Sequence, residues 1–423
     1  MKDKSLTKSI TFNDFKKEIL NDYKTIVISR ETSLLGRKEV LSGRAKFGIF
    51  GDGKELPQIA MAKAFRRGDH RSGYYRDQTF MLALNEISVQ QIFSALYANT
   101  DLKKEPMSGG RQMGSHFMSN YIDDKGDFID STQKYNSSAD ISPTSGQMPR
   151  LLGLAMASKL YREGSFNSKN FSNNGNEVAW GTIGNASTSE GPFFEVFNAA
   201  GVHQVPMIIS VWDDEYGISV NNSYQTTKSS ISKALHGFKR DKSNKGFEIY
   251  TVDGWDYQSL IQIYEHSSNF CRENHIPILI HVKNLTQPIG HSTSGSHERY
   301  KNKSRLEWEM KYDCNRKMRE WILDNNLSDL SKIEHIEKDC IEFVKSEKKA
   351  AWDDFQKDII VERDSFIKLI KSLVHQYKSK DLAEIANSLL RLKDLGRKDV
   401  MSAARRSLRL ENSSDFFEKI DNW

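Results

Sequence analysis

The stretch TIGNASTSEGPFFEVFNAAGVHQVPMIISVWDDEYGIS, residues 182–219, decides the fold. With the preceding VAWGTI (178–183), rich in β-branched and aromatic residues, it reads as strand, small-residue loop, helix, strand and polar loop. The helix, 192–202, begins directly after Gly191, and the second strand, PMIISVW (206–212), ends in Asp213-Asp214. Such a βαβ unit brings both loops to one edge of a parallel sheet, where ligands bind. The loop Gly184-Asn185-Ala186-Ser187 offers backbone N–H groups with little side-chain bulk, and the helix start adds the positive end of its dipole. Both suit phosphate. Asn185 and Asp214 lie one βαβ span apart, each a short oxygen-bearing side chain at the end of a strand. Magnesium takes octahedral oxygen ligands and shares them with phosphates. Either residue alone reads as a loop cap; together they predict a diphosphate-plus-metal site.

Outward from this unit the α/β pattern continues. Helix 147–161 precedes it; strand 247–252, helix 256–273 and strand 277–283 follow. Strands alternating with helices predict an α/β fold, a mostly parallel sheet covered by helices on both faces. Residues 1–45 carry apolar residues at three- and four-residue spacing and predict a helical N-terminal segment. Residues 46–115 hold short helices such as LPQIAMAKAF and VQQIFSALYAN between glycine-rich loops, and 116–141 read as an extended polar surface loop. The expected division is 1–45, an α/β domain over 46–355, and a helical extension over 356–423 with a helix pair around Gly396. GDGK at 51–54 resembles the start of a phosphate loop. No strongly apolar strand precedes it and no paired polar loop follows at βαβ spacing, so it reads as a turn.

The 423 residues are 38% hydrophobic and 28% charged, which describes a water-soluble globular chain with a substantial core. No apolar run reaches the length of a membrane span, so no membrane is expected as a partner. The net charge of +5 comes from Lys-rich segments that alternate with Asp and Glu, as on solvated helices, which argues against a nucleic-acid surface. The N-terminus lacks an apolar signal core, and Cys271, Cys314 and Cys340 are too few and too far apart for a disulfide framework. A cytoplasmic location is the expectation.

Several ordered motifs carry a resemblance to a known family. They are GYYRDQTFMLA (73–83), GGRQMGSHF (109–117), SPTSGQMPRLLGLAMA (142–157), the central unit, VDGWD (252–256) and PIGHSTSGSHERY (288–300). Over roughly residues 25–355 the chain resembles the α subunit of thiamine-diphosphate-dependent 2-oxo-acid dehydrogenases, the family handling branched-chain 2-oxo acids and pyruvate. The resemblance implies the thiamine-diphosphate-binding fold and oxidative decarboxylation of a 2-oxo acid, branched-chain first and pyruvate second. It also implies acyl transfer to lipoamide, with thiamine diphosphate and Mg²⁺ as cofactors. The implied partners are a β subunit, joined in a heterotetramer, and a lipoyl-bearing acyltransferase core. The 356–423 extension sits where a connector to a fused β half would lie, or serves as a docking segment.

The family's cofactor motif is Gly-Asp-Gly followed one βαβ unit later by Asn-Asn. Here Gly184-Asn185-Ala186 and Asp213-Asp214 exchange the amide and the carboxylate. The resemblance implies Mg²⁺ held by Asn185, Asp214 and the carbonyl of Tyr216. It implies a diphosphate held by Tyr75 and Arg76, with Gly184, Asn185, Ala186, Ser187 and His291 around it. Some relatives place a further Arg where this chain has Trp212. His116 and His291 are the implied catalytic histidines, His116 toward the substrate. Ser142, Thr144 and Gln147 match the aminopyrimidine region; capping of helix 147–161 by a Ser or Thr of 142–145 is the alternative. Glu190 and Glu195 cap or neutralise the start of helix 192–202. Two other readings stand beside this one. One is a non-catalytic family member that scaffolds a β subunit, suggested by the exchanged ligands and Trp212. The other, a dinucleotide-dependent oxidoreductase, lacks the G-x-G-x-x-G turn.

Overall fold

The computed structural model describes residues 11–166, 169–293, 295–410 and 413–423. Its chain divides into two compact units, Met1–Ser346 and Glu347–Trp423, and the division falls within helix Leu330–Tyr377.

In the first unit six strands form one parallel sheet. They are β1 (His70–Ser72), β2 (Asn136–Ser137), β3 (Ala179–Gly184), β4 (Met207–Trp212), β7 (Glu248–Asp253) and β8 (Ile278–Lys283). Their order is β2-β1-β3-β4-β8-β7, every neighbouring pair being parallel. A separate antiparallel pair, β5 (Tyr216–Gly217) and β6 (Val220–Asn221), follows β4. Side chains alternate across the sheet with the period of two that a strand imposes. Ile208 and Trp212 of β4 join Trp180, Ile278 and Ile280 in one core, while Met207, Ile209 and Val211 join Ile183 and Leu279 in the other. Helices Phe12–Leu41, Glu55–Ala64 and Tyr257–Asn274 supply the first core; Met148–Arg162 and Gly191–His203 supply the second. The sheet is therefore covered on both faces, as the α/β reading expects.

Helix 192–202 and strand 206–212 of the sequence reading correspond to Gly191–His203 and Met207–Trp212. The N-terminal helix is Phe12–Leu41, capped by the Thr11 side chain; residues 1–10 lie outside the described part. Four short strands carry no signal in the sequence: β5 and β6, and two of the sheet. The glycine-rich loops of 46–115 and the polar loop 116–141 contain β1 and β2. Both are very short and polar, so they carry no apolar alternation. Ion pairs and hydrogen bonds bury them instead: Arg71 is fully enclosed by Asp77 and Asp140, and Asn136 donates to the carbonyls of Asp69 and Ser131.

The second unit has its own core. Phe366, Ile370 and Leu373 of Leu330–Tyr377 pack with Leu382, Val400 and Phe416 from helices Lys380–Leu390, Arg397–Ser407 and Ser414–Asp421. Gly396 caps Arg397–Ser407, its N–H donating 2.9 Å to Asp399 Oδ2. Among the described residues no helix is long and apolar enough to cross a membrane.

Candidate functional site

The central βαβ unit ends in a cavity of about 400 Å³ at the carboxyl edge of β3 and β4. Gly184 is opposite Trp212 in the last register of that pair, and Asn185 N–H donates to the Trp212 carbonyl at 3.2 Å. This bond removes one of the N–H groups that the loop was expected to offer. A short 3₁₀ turn, Ala186–Ser189, separates the loop from helix Gly191–His203. Gly184, Asn185, Ala186 and Ser187 line the cavity, with Tyr75 and Arg76 from the segment after β1. Thr144, Asp214, Tyr216 and His291 complete the expected residues found there. His116 and Ser142 do not line it: they bond to each other, Nε2 to Oγ at 3.0 Å, beside the Tyr75 ring.

Several other assignments are corrected. Gln147 bonds to the Thr182 carbonyl at 2.8 Å and is itself the uncapped start of helix Met148–Arg162, so no Ser or Thr of 142–145 caps that helix. Glu190 makes no side-chain cap either; it accepts from Thr144 at 3.1 Å. Asp213 turns away from the cavity, held by His281 Nε2 at 2.7 Å and by the Glu215 N–H at 2.8 Å. Trp212 spends its indole N–H on Asp77 Oδ1 at 3.2 Å, so its ring forms a wall.

Arg76 is fixed from two sides. Nη1 donates to the Phe50 carbonyl at 2.6 Å, and Nη2 reaches His291 Nδ1 at 3.0 Å and the His291 carbonyl at 2.9 Å. A guanidinium only donates, so His291 Nδ1 accepts and the ring proton sits on Nε2. Burial, then the Arg76 cation, pushes the His291 imidazole down to about 4. It is therefore a neutral donor at physiological pH. The folded value lies below the ordinary 6.5 or so. This contact thus contributes fully above that value and is lost as pH falls through about 4. Histidine ¹⁵N NMR through a pH titration is expected to show His291 as the Nε2–H tautomer down to that range; titration near 6.5 would refute the pairing.

Two polar atoms in the cavity wall lack a partner, the Tyr74 hydroxyl and Asn185 Nδ2, although both residues are buried. Buried polar groups are normally satisfied, so an orphan on a residue that lines a cavity marks a place for a ligand. Burial raises the Tyr74 phenol well above its usual value, which leaves it a neutral donor. A side chain built on Gly184 would meet nothing nearer than the Tyr74 hydroxyl at 3.7 Å; the space belongs to the cavity. Two orphan donors, an arginine and a neutral histidine donor fit a phosphate-bearing ligand.

The sequence reading passed over Lys54, the last residue of GDGK. The turn is present, yet its lysine is 1% exposed and lines the cavity. Its Nζ donates to Asp214 Oδ2 at 2.9 Å, Gln287 Oε1 at 2.6 Å and the Thr286 carbonyl at 3.1 Å. Asp214 Oδ1 accepts the Tyr216 N–H at 3.1 Å. Burial pushes the Asp214 carboxyl up, but Lys54, with Lys301 and Arg76, more than reverses this and holds it below its ordinary value. Both carboxylate oxygens expected to serve Mg²⁺ are thus engaged, one by a cation. A dication about 4 Å from an ammonium meets repulsion on the order of 8 kcal/mol at an effective dielectric of 20. The arrangement fits a diphosphate and does not fit a magnesium ion.

The family model described as "Dehydrogenase E1 component" matches residues 23–359. The chain is similar to the 2-oxoisovalerate dehydrogenase subunit alpha of Bacillus subtilis (strain 168), 27% identical over 301 residues, 70% of this chain and 79% of that relative. It is similar to the pyruvate dehydrogenase E1 component subunit alpha of Rickettsia prowazekii (strain Madrid E), 23% identical over 337 residues, 79% and 91% of the two chains. A mitochondrial 2-oxoisovalerate dehydrogenase subunit alpha 1 from Arabidopsis thaliana is 24% identical over 285 residues, 67% of this chain and 52% of that one.

Proposed function

The chain belongs to the dehydrogenase E1 component family, and on that premise we propose that it is the α subunit of a 2-oxo-acid dehydrogenase whose cavity takes thiamine diphosphate. The observation that carries the reading is the convergence of Arg76, His291, Tyr74 and Asn185 on one cavity at the ends of β3 and β4. When bound, the coenzyme supplies an electron sink for decarboxylating a 2-oxo acid, followed by acyl transfer to lipoamide. The residues of this chain bind and orient it. Arg76 faces the diphosphate with a fixed positive charge, and His291 donates from Nε2. Tyr74 and Asn185 spend their orphan donors on phosphate oxygens, and Trp212 walls the site from water. Thr144, Ala186 and Ser187 border the same cavity. His116 shares a proton with Ser142 behind Tyr75 and holds it near the substrate side.

The rim supports an incomplete site. Ile218, Val220 and Tyr224 line the cavity and are 62%, 47% and 86% exposed. Apolar side chains at the mouth of a coenzyme cavity suit a covering β subunit, which would bring the remaining half of the site. An acyltransferase core carrying the lipoyl group is the onward partner, in the cytoplasm, with no nucleic acid or membrane involved. A branched-chain 2-oxo acid is the first substrate choice and pyruvate the second. The domain assignment that goes with this reading is a coenzyme-binding 46–355 flanked by an N-terminal segment, 1–45, and a C-terminal extension, 356–423.

Calorimetry of the full chain, assembled with the β subunit, with thiamine diphosphate tests the reading. Binding is expected, and Arg76→Gln should weaken it at least about tenfold, the scale of a lost charge-assisted hydrogen bond. Reconstitution with the β subunit, assayed with 2-oxoisovalerate and pyruvate, then ranks the substrates. Lys54 on Asp214 and the spent Trp212 indole favour a second reading, a non-catalytic scaffold for the β subunit. A chain that assembles with the β subunit but leaves the coenzyme unbound would establish it.

A further inference from the structure

Lys54 is enclosed beyond what a surface lysine needs. Its three ammonium hydrogens meet three acceptors, Asp214 Oδ2, Gln287 Oε1 and the Thr286 carbonyl. The acceptors are themselves tied down. Gln287 Nε2 donates to Asp52 Oδ1 at 2.8 Å, and Asp52 Oδ2 accepts the Ile289 N–H at 2.9 Å. The turn 51–54 and the segment 286–291 thus form one cradle, which ends in His291 on the cavity wall. Burying an ammonium is costly unless every hydrogen and the charge are compensated. Here the compensation includes the carboxylate that would otherwise grip a metal. Asn185, on the wall of the same cavity, carries a buried amide nitrogen with no partner.

We propose that Lys54 supplies the positive charge for the coenzyme's diphosphate in place of a divalent metal. The exchange of amide and carboxylate between positions 185 and 214 then has a physical sense. A carboxylate at 185 would repel an uncoordinated diphosphate, whereas a carboxylate at 214 anchors the lysine. Lys54 acts as a positioned charge, since its own hydrogens are spent within the protein. The proposal rests on the thiamine diphosphate reading.

The test titrates the full chain, assembled with the β subunit, with thiamine diphosphate by calorimetry, once with EDTA and once with Mg²⁺. Wild-type affinities are expected to agree within about threefold, a difference well under the 1.4 kcal/mol that a tenfold change represents. Lys54→Gln should lose about tenfold or more in EDTA and recover with Mg²⁺, because Asp214 is then free to coordinate. A wild type that binds only with Mg²⁺ overturns the inference and leaves the coenzyme reading intact; so does a Lys54→Gln variant unchanged in EDTA. Binding in neither medium overturns both. Mn²⁺ uptake followed by electron paramagnetic resonance, with inorganic pyrophosphate present, gives a readout without the coenzyme. The wild type should leave Mn²⁺ unbound at this site, and stoichiometric uptake would contradict the proposal. These wild-type measurements decide the matter even where Lys54→Gln does not fold.

Discussion

Replacing Asp69 with alanine is expected to remove about 3–5 kcal/mol of stability, the cost of stripping one partner from a buried ion pair. The carboxylate is fully buried and accepts five hydrogen bonds. Arg272 donates twice, 2.8 Å to each oxygen, from helix Tyr257–Asn274. The Val178 N–H and the Trp180 indole donate from the β3 segment at 2.9 and 3.0 Å, and the Arg66 N–H closes the turn before β1 at 3.0 Å. One side chain therefore fastens the short strand β1 to the centre of the sheet and to a covering helix. Alanine leaves the Arg272 guanidinium buried beside unpaired donors. Asp69→Asn keeps the shape but turns an NH₂ toward donors, so it should recover only part of the loss. Equilibrium urea unfolding measures both, with the change read in the midpoint at constant slope. A wild-type midpoint in Asp69→Ala would mean that β1 is held by something other than this carboxylate.

Asp69 also marks the limit of what periodicity could show. The central strands β3, β4 and β8 were legible because apolar side chains fill both faces of them, and their helices were legible from three- and four-residue spacing. Strands β1 and β2 were not, because charge pairs and amide bonds bury them, and no local pattern reports a partner a hundred residues away. The same distinction runs through the site. The βαβ unit placed Asn185 and Asp214 at neighbouring strand ends from sequence alone, since loop position follows from topology. Lys54 was dismissed because GDGK was judged by its flanking strand, whereas its role comes from the approach of segment 286–291. A lysine after two glycines and an aspartate could have been flagged only by asking which buried carboxylate needed a cation. The resemblance directed attention to a metal at that carboxylate and so away from the lysine already on it.

Gly53→Ala should show how strictly that cradle depends on backbone contact, with a loss of about 3 kcal/mol in stability and of coenzyme affinity together. Gly53 has φ +81°, a region where an alanine is strained by roughly 1–2 kcal/mol. Its new Cβ would also lie 2.1 Å from the Thr286 carbonyl oxygen, the atom that accepts from Lys54. Backbone meets backbone there, so no side chain can swing aside, and the turn and segment 286–291 must separate. The same displacement moves Thr286, Gln287 and His291 relative to Asp214. Gly43→Ala is the matched control: its φ is +84°, and nothing lies within 4 Å of a Cβ there. It should show the strain of about 1 kcal/mol alone and leave coenzyme binding at the wild-type level. Thermal unfolding and calorimetry on the pair separate conformational strain from the collision. Equal losses in the two variants would show that the cradle yields easily, and then Lys54 could not be the fixed charge that the site requires.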